Sequence, residues 1–279
     1  MSIVSYKTAD TVPSDGPSPI IWADCPVISM QKDPGKGIHI FEDFIGKIKD
    51  LAAAGQFGLF EMVDDGGDGL CVQDTAAYDG EKGVACLEPD GQTAYDEAYL
   101  VSPVLTQIKM GNAKKIWLET RVKLSDYDAD ISVIFGLGDA TMLEGTSVIE
   151  ESATPDFIES RDFVGFVAFT DGSNLGDIDT IYCEVGDAAV TQVKDSAGAF
   201  SADDTYIKLG LKYDGVQYVT FYIDGVELVD KLDVDDFATV TANQLTAQGV
   251  ILGLMDAAGA HAGGCAHLDI DWIRFACER

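Results

Sequence analysis

From Ile108 onward the chain is written in a period of two. In Lys115–Leu124 the residues Ile116, Leu118, Thr120, Val122 and Leu124 fall on one face, and Trp117, Glu119, Arg121 and Lys123 on the other. That is the alternation of a β-strand lying on a core. Ile131–Leu137 is a compact apolar run of the buried-strand type and ends in Gly136-Leu137-Gly138-Asp139. Further strands are predicted at 163–169, 180–185, 189–194, 206–213, 217–223, 249–255 and 267–276. Gly165 inside the Phe- and Val-rich run at 163–169 marks a close backbone approach or a bulge. Asp214-Gly215 and Asp224-Gly225 both sit between strand-like runs, which is the strongest short hairpin signal. Short strands joined by Gly/Asp turns, with almost no amphipathic helix, predict an all-β sandwich.

The first third of the chain reads differently. Residues 1–37 hold five of the eight prolines and little periodicity, and are expected to form an extended N-terminal arm. Ile20, Ile21, Trp22, Val27 and Ile28 are its candidate anchors for a partner surface, with Met30 a further apolar residue. Residues 38–279 are then the β-sandwich domain. Strands are expected at 38–45, 83–87 and 97–105, a short helix at 46–56, a turn at Gly66-Gly67-Asp68-Gly69, and an acidic loop at 140–160. No fixed-period repeat is present.

Charge narrows the partners. The 279 residues carry a formal charge of −30, which repels phosphate backbones and anionic lipid headgroups. The basic groups Lys109, Lys114 and Lys115, and Lys47 with Lys49, are too short to form a nucleic-acid stripe. No apolar run reaches the roughly 18 residues of a membrane-spanning helix. The N-terminus lacks the charged and apolar regions of a secretory signal, so synthesis in a cytosol is expected. The six cysteines form no CxxC pair and are read as free thiols, with Cys71, Cys86 and Cys183 as small core residues.

Four segments then carry a family likeness. They are Ile116–Lys123 followed by Phe135–Asp139, Asp162–Phe166, Ile207–Gly215 leading into Val219–Val226, and Leu268–Phe275. In this order they resemble the concanavalin A-like lectin/glucanase superfamily in its laminarinase-like form. Together with Phe41-Glu42-Asp43-Phe44-Ile45-Gly46 they look like the jelly-roll domains of tailed-phage virion structural proteins. The resemblance implies a concanavalin A-like jelly-roll β-sandwich over 38–279. It also implies a virion structural role on the capsid surface, as a decoration or cement protein. Its arm would cross a neighbouring major capsid protein, and the protein itself would be a dimer or trimer. The alternative is a carbohydrate-binding, lectin-like module for host attachment, with Trp117, Tyr127 or Tyr218 stacking on sugar rings.

Candidate chemistry is sparse. Glucanases of the superfamily carry acidic residues on one strand in a Glu-x-Asp-x-x-Glu arrangement, so that a nucleophile and a general acid straddle one glycosidic bond. That spacing is absent. Asp269 and Asp271 are two same-face carboxylates without a third, and the chain is expected not to be an enzyme and to need no cofactor. His261, Cys265 and His267 lie close together at a non-standard zinc spacing, and a turn into the last strand explains them more simply. Asp126, Asp128 and Asp130 offer alternating oxygens, as does the turn containing Asp64, Asp65 and Asp68. The first set is a weak calcium candidate that lacks the following Gly and a distal bidentate Glu.

Overall fold

Alternation in the sequence becomes two stacked antiparallel sheets in the computed structural model. It describes residues 15–44, 51–52, 56–64, 70–73, 83–89, 96–125, 131–140, 142, 149–150, 156–157, 161–169, 177–184, 191–200, 205–236, 244–256 and 266–279. The chain opens with two short helices, α1 (Pro19–Trp22) and α2 (Val27–Lys32). Next come β1 (Gly37–Glu42), β2 (Leu51–Ala52), β3 (Gln56–Phe57), β4 (Phe60–Asp64), β5 (Leu70–Gln73), β6 (Ala85–Glu88) and β7 (Asp96–Val101). The long strands β8 (Ile116–Ser125) and β9 (Ile131–Asp139) follow, then a small hairpin of β10 (Ile149–Glu150) and β11 (Asp156–Phe157). Last are β12 (Phe163–Phe169), β13 (Asp177–Cys183), β14 (Thr191–Ala199), β15 (Ile207–Tyr213), β16 (Tyr218–Ile223), β17 (Val226–Asp233), β18 (Gln248–Asp256) and β19 (His267–Glu278).

The first sheet has the order β17-β16-β15-β8-β19-β6-β5-β2, with β1 also paired to β19. The second has the order β14-β13-β12-β9-β18-β7-β4-β3. Neighbours far apart in sequence, such as β8 beside β19 and β9 beside β18, make this the expected jelly-roll sandwich. The inward faces follow the predicted parity. Ile116, Leu118, Val122 and Leu124 of β8 join Phe135, Phe166 and Phe221 in the main core. The Phe135 and Phe166 rings stack at 6.3 Å, and Phe221 meets Phe166 edge-on at 5.5 Å. Each such ring removes apolar surface from water at about 1.5–3 kcal/mol.

Both Asp-Gly signals are turns. Asp224 and Gly225 have φ of 50° and 74°, the left-handed pair that a two-residue hairpin between β16 and β17 demands. Asp214 Oδ1 instead accepts the amides of Val216, Gln217 and Tyr218, and so holds a longer loop. The short helix expected at 46–56 is not what its described part forms. Leu51–Ala52 and Gln56–Phe57 are strands that pair with β5 and β4. Sheet pairing there overrides the helix propensity of an alanine-rich stretch. No helix among the described residues is long and apolar enough to cross a membrane.

Residues 15–36, part of the segment read as an arm, lie folded over the outer face of the first sheet. Glu119 is the reason. It stands fully buried on the outward side of β8 and accepts the Ser18 amide at 3.0 and 3.2 Å and the Trp22 indole N–H at 2.6 Å. Burial pushes its carboxyl upward, and these hydrogen bonds work against that shift. Trp22 packs under the Arg274 guanidinium (4.0 Å) and edge-on to His39 (6.4 Å). Asp24 pairs with Lys115 (2.9 Å), Lys212 (2.7 Å) and the Trp117 indole (3.1 Å). Burial acts to raise the Asp24 carboxyl, but its hydrogen bonds from Lys115, Lys212 and Trp117 outweigh it and hold the group at about 2.

His39 beneath this strap is pH-sensitive. Burial first, and the Arg274 charge second, hold it down at about 4 from an ordinary 6.5. Arg274 Nε donates to His39 Nε2 at 3.2 Å, a bond that only the neutral imidazole accepts. A depressed folded-state value means that its contribution is complete above about 6.5 and is lost as pH falls toward about 4. Replacing His39 by Gln, which keeps an acceptor but does not titrate, is expected to flatten the loss of stability across that window. Urea denaturation of both proteins at half-unit pH steps measures it; parallel profiles would refute the assignment.

Candidate functional site

The outer face of the second sheet is the place where the fold concentrates unusual side chains. Strand parity sends Glu97, Tyr99 and Val101 of β7, Ile251, Gly253 and Met255 of β18, and Ser132, Ile134 and Gly136 of β9 to this side. Phe163, Gly165 and Val167 of β12 and Ile181 and Cys183 of β13 join them. The apolar members form a second cluster of buried residues, separate from the main core. Glycines let aromatic rings lie flat on the backbone. A Cβ at Gly253 would run into the Tyr99 ring, and one at Gly165 or Gly136 would come within 2.7 or 2.9 Å of Phe163 Cζ. Gly136 and Gly165 face each other in register, so the Phe163 ring spans two strands.

Carboxylates flank this floor. Glu97 is fully buried opposite Met255. At the other end Asp139 accepts the Met142 and Asp162 amides, and Asp162 accepts the Thr246 amide at 2.5 Å. Asp139 and Asp162 therefore serve backbone donors. Burial pushes the neighbouring Cys183 thiol far up, which leaves it protonated and a poor nucleophile.

At one edge the floor opens into a groove of about 350 Å³. Its walls are the β3–β4 turn, with Leu59 and Glu61, and the end of β7, with Val101, Ser102, Pro103 and Val104. Leu59 and Val104 are 49% and 44% exposed, large apolar groups left open beside the exposed carboxylate of Glu61. Ser102 Oγ donates to the Pro103 carbonyl and accepts the Val250 amide, which fixes that wall to β18. Gly58 takes φ of 56° at the turn, the left-handed conformation a glycine allows.

The residues singled out from sequence lie elsewhere. Ile21 and Trp22 are buried against the chain's own first sheet, Val27 is partly buried there, and Ile20 and Ile28 are about half exposed. Trp117, a candidate for sugar stacking, is fully buried under the strap, because the Asp24 carboxylate takes its indole N–H. Tyr218 is exposed on β16, and Tyr127 lies outside the described residues. Asp126, Asp128 and Asp130 also lie outside them, as do Asp65, Asp68, His261 and Cys265. Asp269 and Asp271 do share a face, and both sit in ion pairs, with Lys123 (3.5 Å) and Arg121 (2.6 Å). Glu61, Glu97 and Glu119 had no signal in isolation: each is one acid in a mixed segment.

No family model and no curated protein sequence matches the chain. Solved structures do. The chain is similar to a glycoside hydrolase family protein from Mycobacterium thermorestibile at 12% identity, with 85% of this chain and 99% of that one covered and a TM-score of 0.51. It is similar to the carbohydrate recognition domain of Emp47p at 11% identity, with 87% and 97% covered and a TM-score of 0.51. It also matches a Bacteroides ovatus mixed linkage glucan PUL family 16 glycoside hydrolase, solved in complex with a G4G4G3G product, at 14% identity, with 85% and 99% covered and a TM-score of 0.50. At these identities the likeness is one of fold, and it establishes the concanavalin A-like jelly roll. The expectation that the chain is not an enzyme is overturned at that level, because glycoside hydrolases stand among the proteins that share the sandwich. A missing Glu-x-Asp-x-x-Glu string was too narrow a test: strand register also brings together carboxylates distant in sequence. The likeness adds nothing to the virion reading.

The glycine–aromatic floor makes a sharp prediction. In Gly136→Ala the new methyl would collide with the Val164 carbonyl and the Gly165 backbone, which cannot swing away as a side chain can. A loss of about 2–3 kcal/mol is expected in chemical denaturation. A change below about 0.5 kcal/mol, the range of surface substitutions, would show that the strands are not apposed as described.

Proposed function

We propose that the protein binds carbohydrate through its concanavalin A-like sandwich, with the groove between the β3–β4 turn and the end of β7 as the sugar site. The observation that carries this reading is the likeness, over most of the chain, to both a carbohydrate recognition domain and glycoside hydrolases. Carbohydrate engagement is the property those two groups have in common. The chemistry of the groove is compatible with it. A sugar ring has an apolar C–H face and a rim of hydroxyls. Leu59 and Val104 offer apolar surface, and Glu61 offers charged acceptors to hydroxyl donors. At about 350 Å³ the space falls at the small end of ligand pockets, enough for a short stretch of a glycan.

An array spanning β-glucans and N-linked glycans, followed by calorimetry on the glycans retained, tests the proposal. Leu59→Ala and Glu61→Gln are each expected to weaken binding about tenfold, equivalent to roughly 1.4 kcal/mol. A reducing-sugar assay on each bound glycan reads separately whether binding leads to cleavage. Retention of no glycan would overturn the proposal. Binding indifferent to both substitutions would remove the site from this groove.

A further inference from the structure

A second constellation lies on the opposite sheet and is independent of the glycan reading. β6 and β19 are antiparallel neighbours, with Leu87 opposite Leu268 and Cys86 opposite Asp269. Ala85, Leu87, Leu268 and Ile270 all face the main core. Parity therefore places Cys86, His267 and Asp269 together on the outer side: two residues spaced by two on one strand, and a third across from them. All three are buried, none more than 3% exposed. One ligand-type atom from each lies within 4.8 Å of the others, and His267 Nε2 is 3.5 Å from Asp269 Oδ2.

We infer that Cys86, His267 and Asp269 form a site for a divalent ion of the zinc class, bound through one sulfur, one imidazole nitrogen and one carboxylate oxygen. Tetrahedral zinc, with bonds of about 2.0–2.3 Å, sets neighbouring ligand atoms roughly 3.3–3.8 Å apart. The His267–Asp269 separation already lies in that range, and the thiol needs to close by at most about one ångström. The donor set selects the ion. Calcium and magnesium take oxygen ligands, whereas a thiolate with an imidazole suits zinc or cobalt. Binding converts the Cys86 thiol to a metal thiolate and releases its proton to solvent. Lys123 Nζ, 3.5 Å from Asp269 Oδ2, reaches the carboxylate from β8, on the side away from Cys86. The ammonium and the imidazole thus approach the same Oδ2, and an ion bound there would share that oxygen with Lys123. Among the described residues β6 pairs with β19 over Ala85, Cys86 and Leu87, so an ion joining the two strands would reinforce a short ladder.

The test uses the full chain, stripped with chelator and titrated with Zn²⁺ and with Co²⁺. One ion per chain is expected, with a sulfur-to-cobalt charge-transfer band and a higher Tm in the zinc-loaded form. Cys86→Ser, folded by circular dichroism, is expected to lose the band and at least about 100-fold in zinc affinity. Cys25→Ser, which alters a thiol of the strap far from this site in the sequence, is expected to change neither. Should Cys86→Ser fail to fold, His267→Gln, which leaves every thiol in place, is expected to weaken zinc binding to the same extent. A wild-type chain with no charge-transfer band, a band that persists in Cys86→Ser, or zinc affinity unchanged in His267→Gln would each overturn the assignment.

Discussion

One buried carboxylate organises the first sheet. Glu119 stands in the middle of a strand, with sheet on both sides and no exposed surface. An acid removed from water costs several kcal/mol unless donors surround it. Those donors come from about a hundred residues earlier in the chain, as the Ser18 amide and the Trp22 indole. Meeting them fixes where residues 15–36 run. With Trp22 in place, Arg274, His39 and Trp117 are covered, and the ion pairs of Asp24 and Asp15 become reachable. Even the Trp272 indole finds its acceptor there, the Asp15 carbonyl at 2.7 Å. The N-terminal segment is therefore part of the sandwich energetically, although it pairs with no strand in its helical part.

The two outer faces solve burial in opposite ways. On the first sheet charged groups are kept and matched: Lys123 with Asp269, Arg121 with Asp271, Lys212 with Asp24. On the second sheet the outer face is mostly apolar, and glycines allow Tyr99 and Phe163 to lie against the backbone. A sheet buried on both faces is stiff, so an opening at its rim keeps its shape. The groove beside Leu59 and Glu61 is such an opening, tied to β18 through Ser102.

This contrast explains what could be read along the chain. β8 was legible because its two faces differ in polarity, and the β16–β17 turn because Asp224-Gly225 supplies the left-handed pair in sequence. β4 and β5 were missed: each is short, and each is recognisable only by its partner, β7 or β6. α1 and α2, at four and six residues, are too short to show a helical period and form because Glu119 and the first sheet receive them. His267 drew attention beside His261 and Cys265, its neighbours in sequence. Its described neighbours in space are Cys86 and Asp269, and only the β6–β19 register reveals the first of them.

The overall charge then constrains which ligands the groove can take. A chain at −30 carries a negative field overall, and the exposed Glu61 carboxylate adds to it at the groove. Anionic sugars would meet repulsion on approach, because surface potentials of one sign lower the local concentration of like-charged ligands. Neutral glycans feel no such term, and their hydroxyls donate to carboxylates. Under the carbohydrate reading, therefore, the acidity that argues against nucleic acid and anionic lipid also argues for an uncharged glycan. The dependence on salt separates the cases: screening at high ionic strength would strengthen binding of an anionic glycan and leave a neutral one almost unchanged.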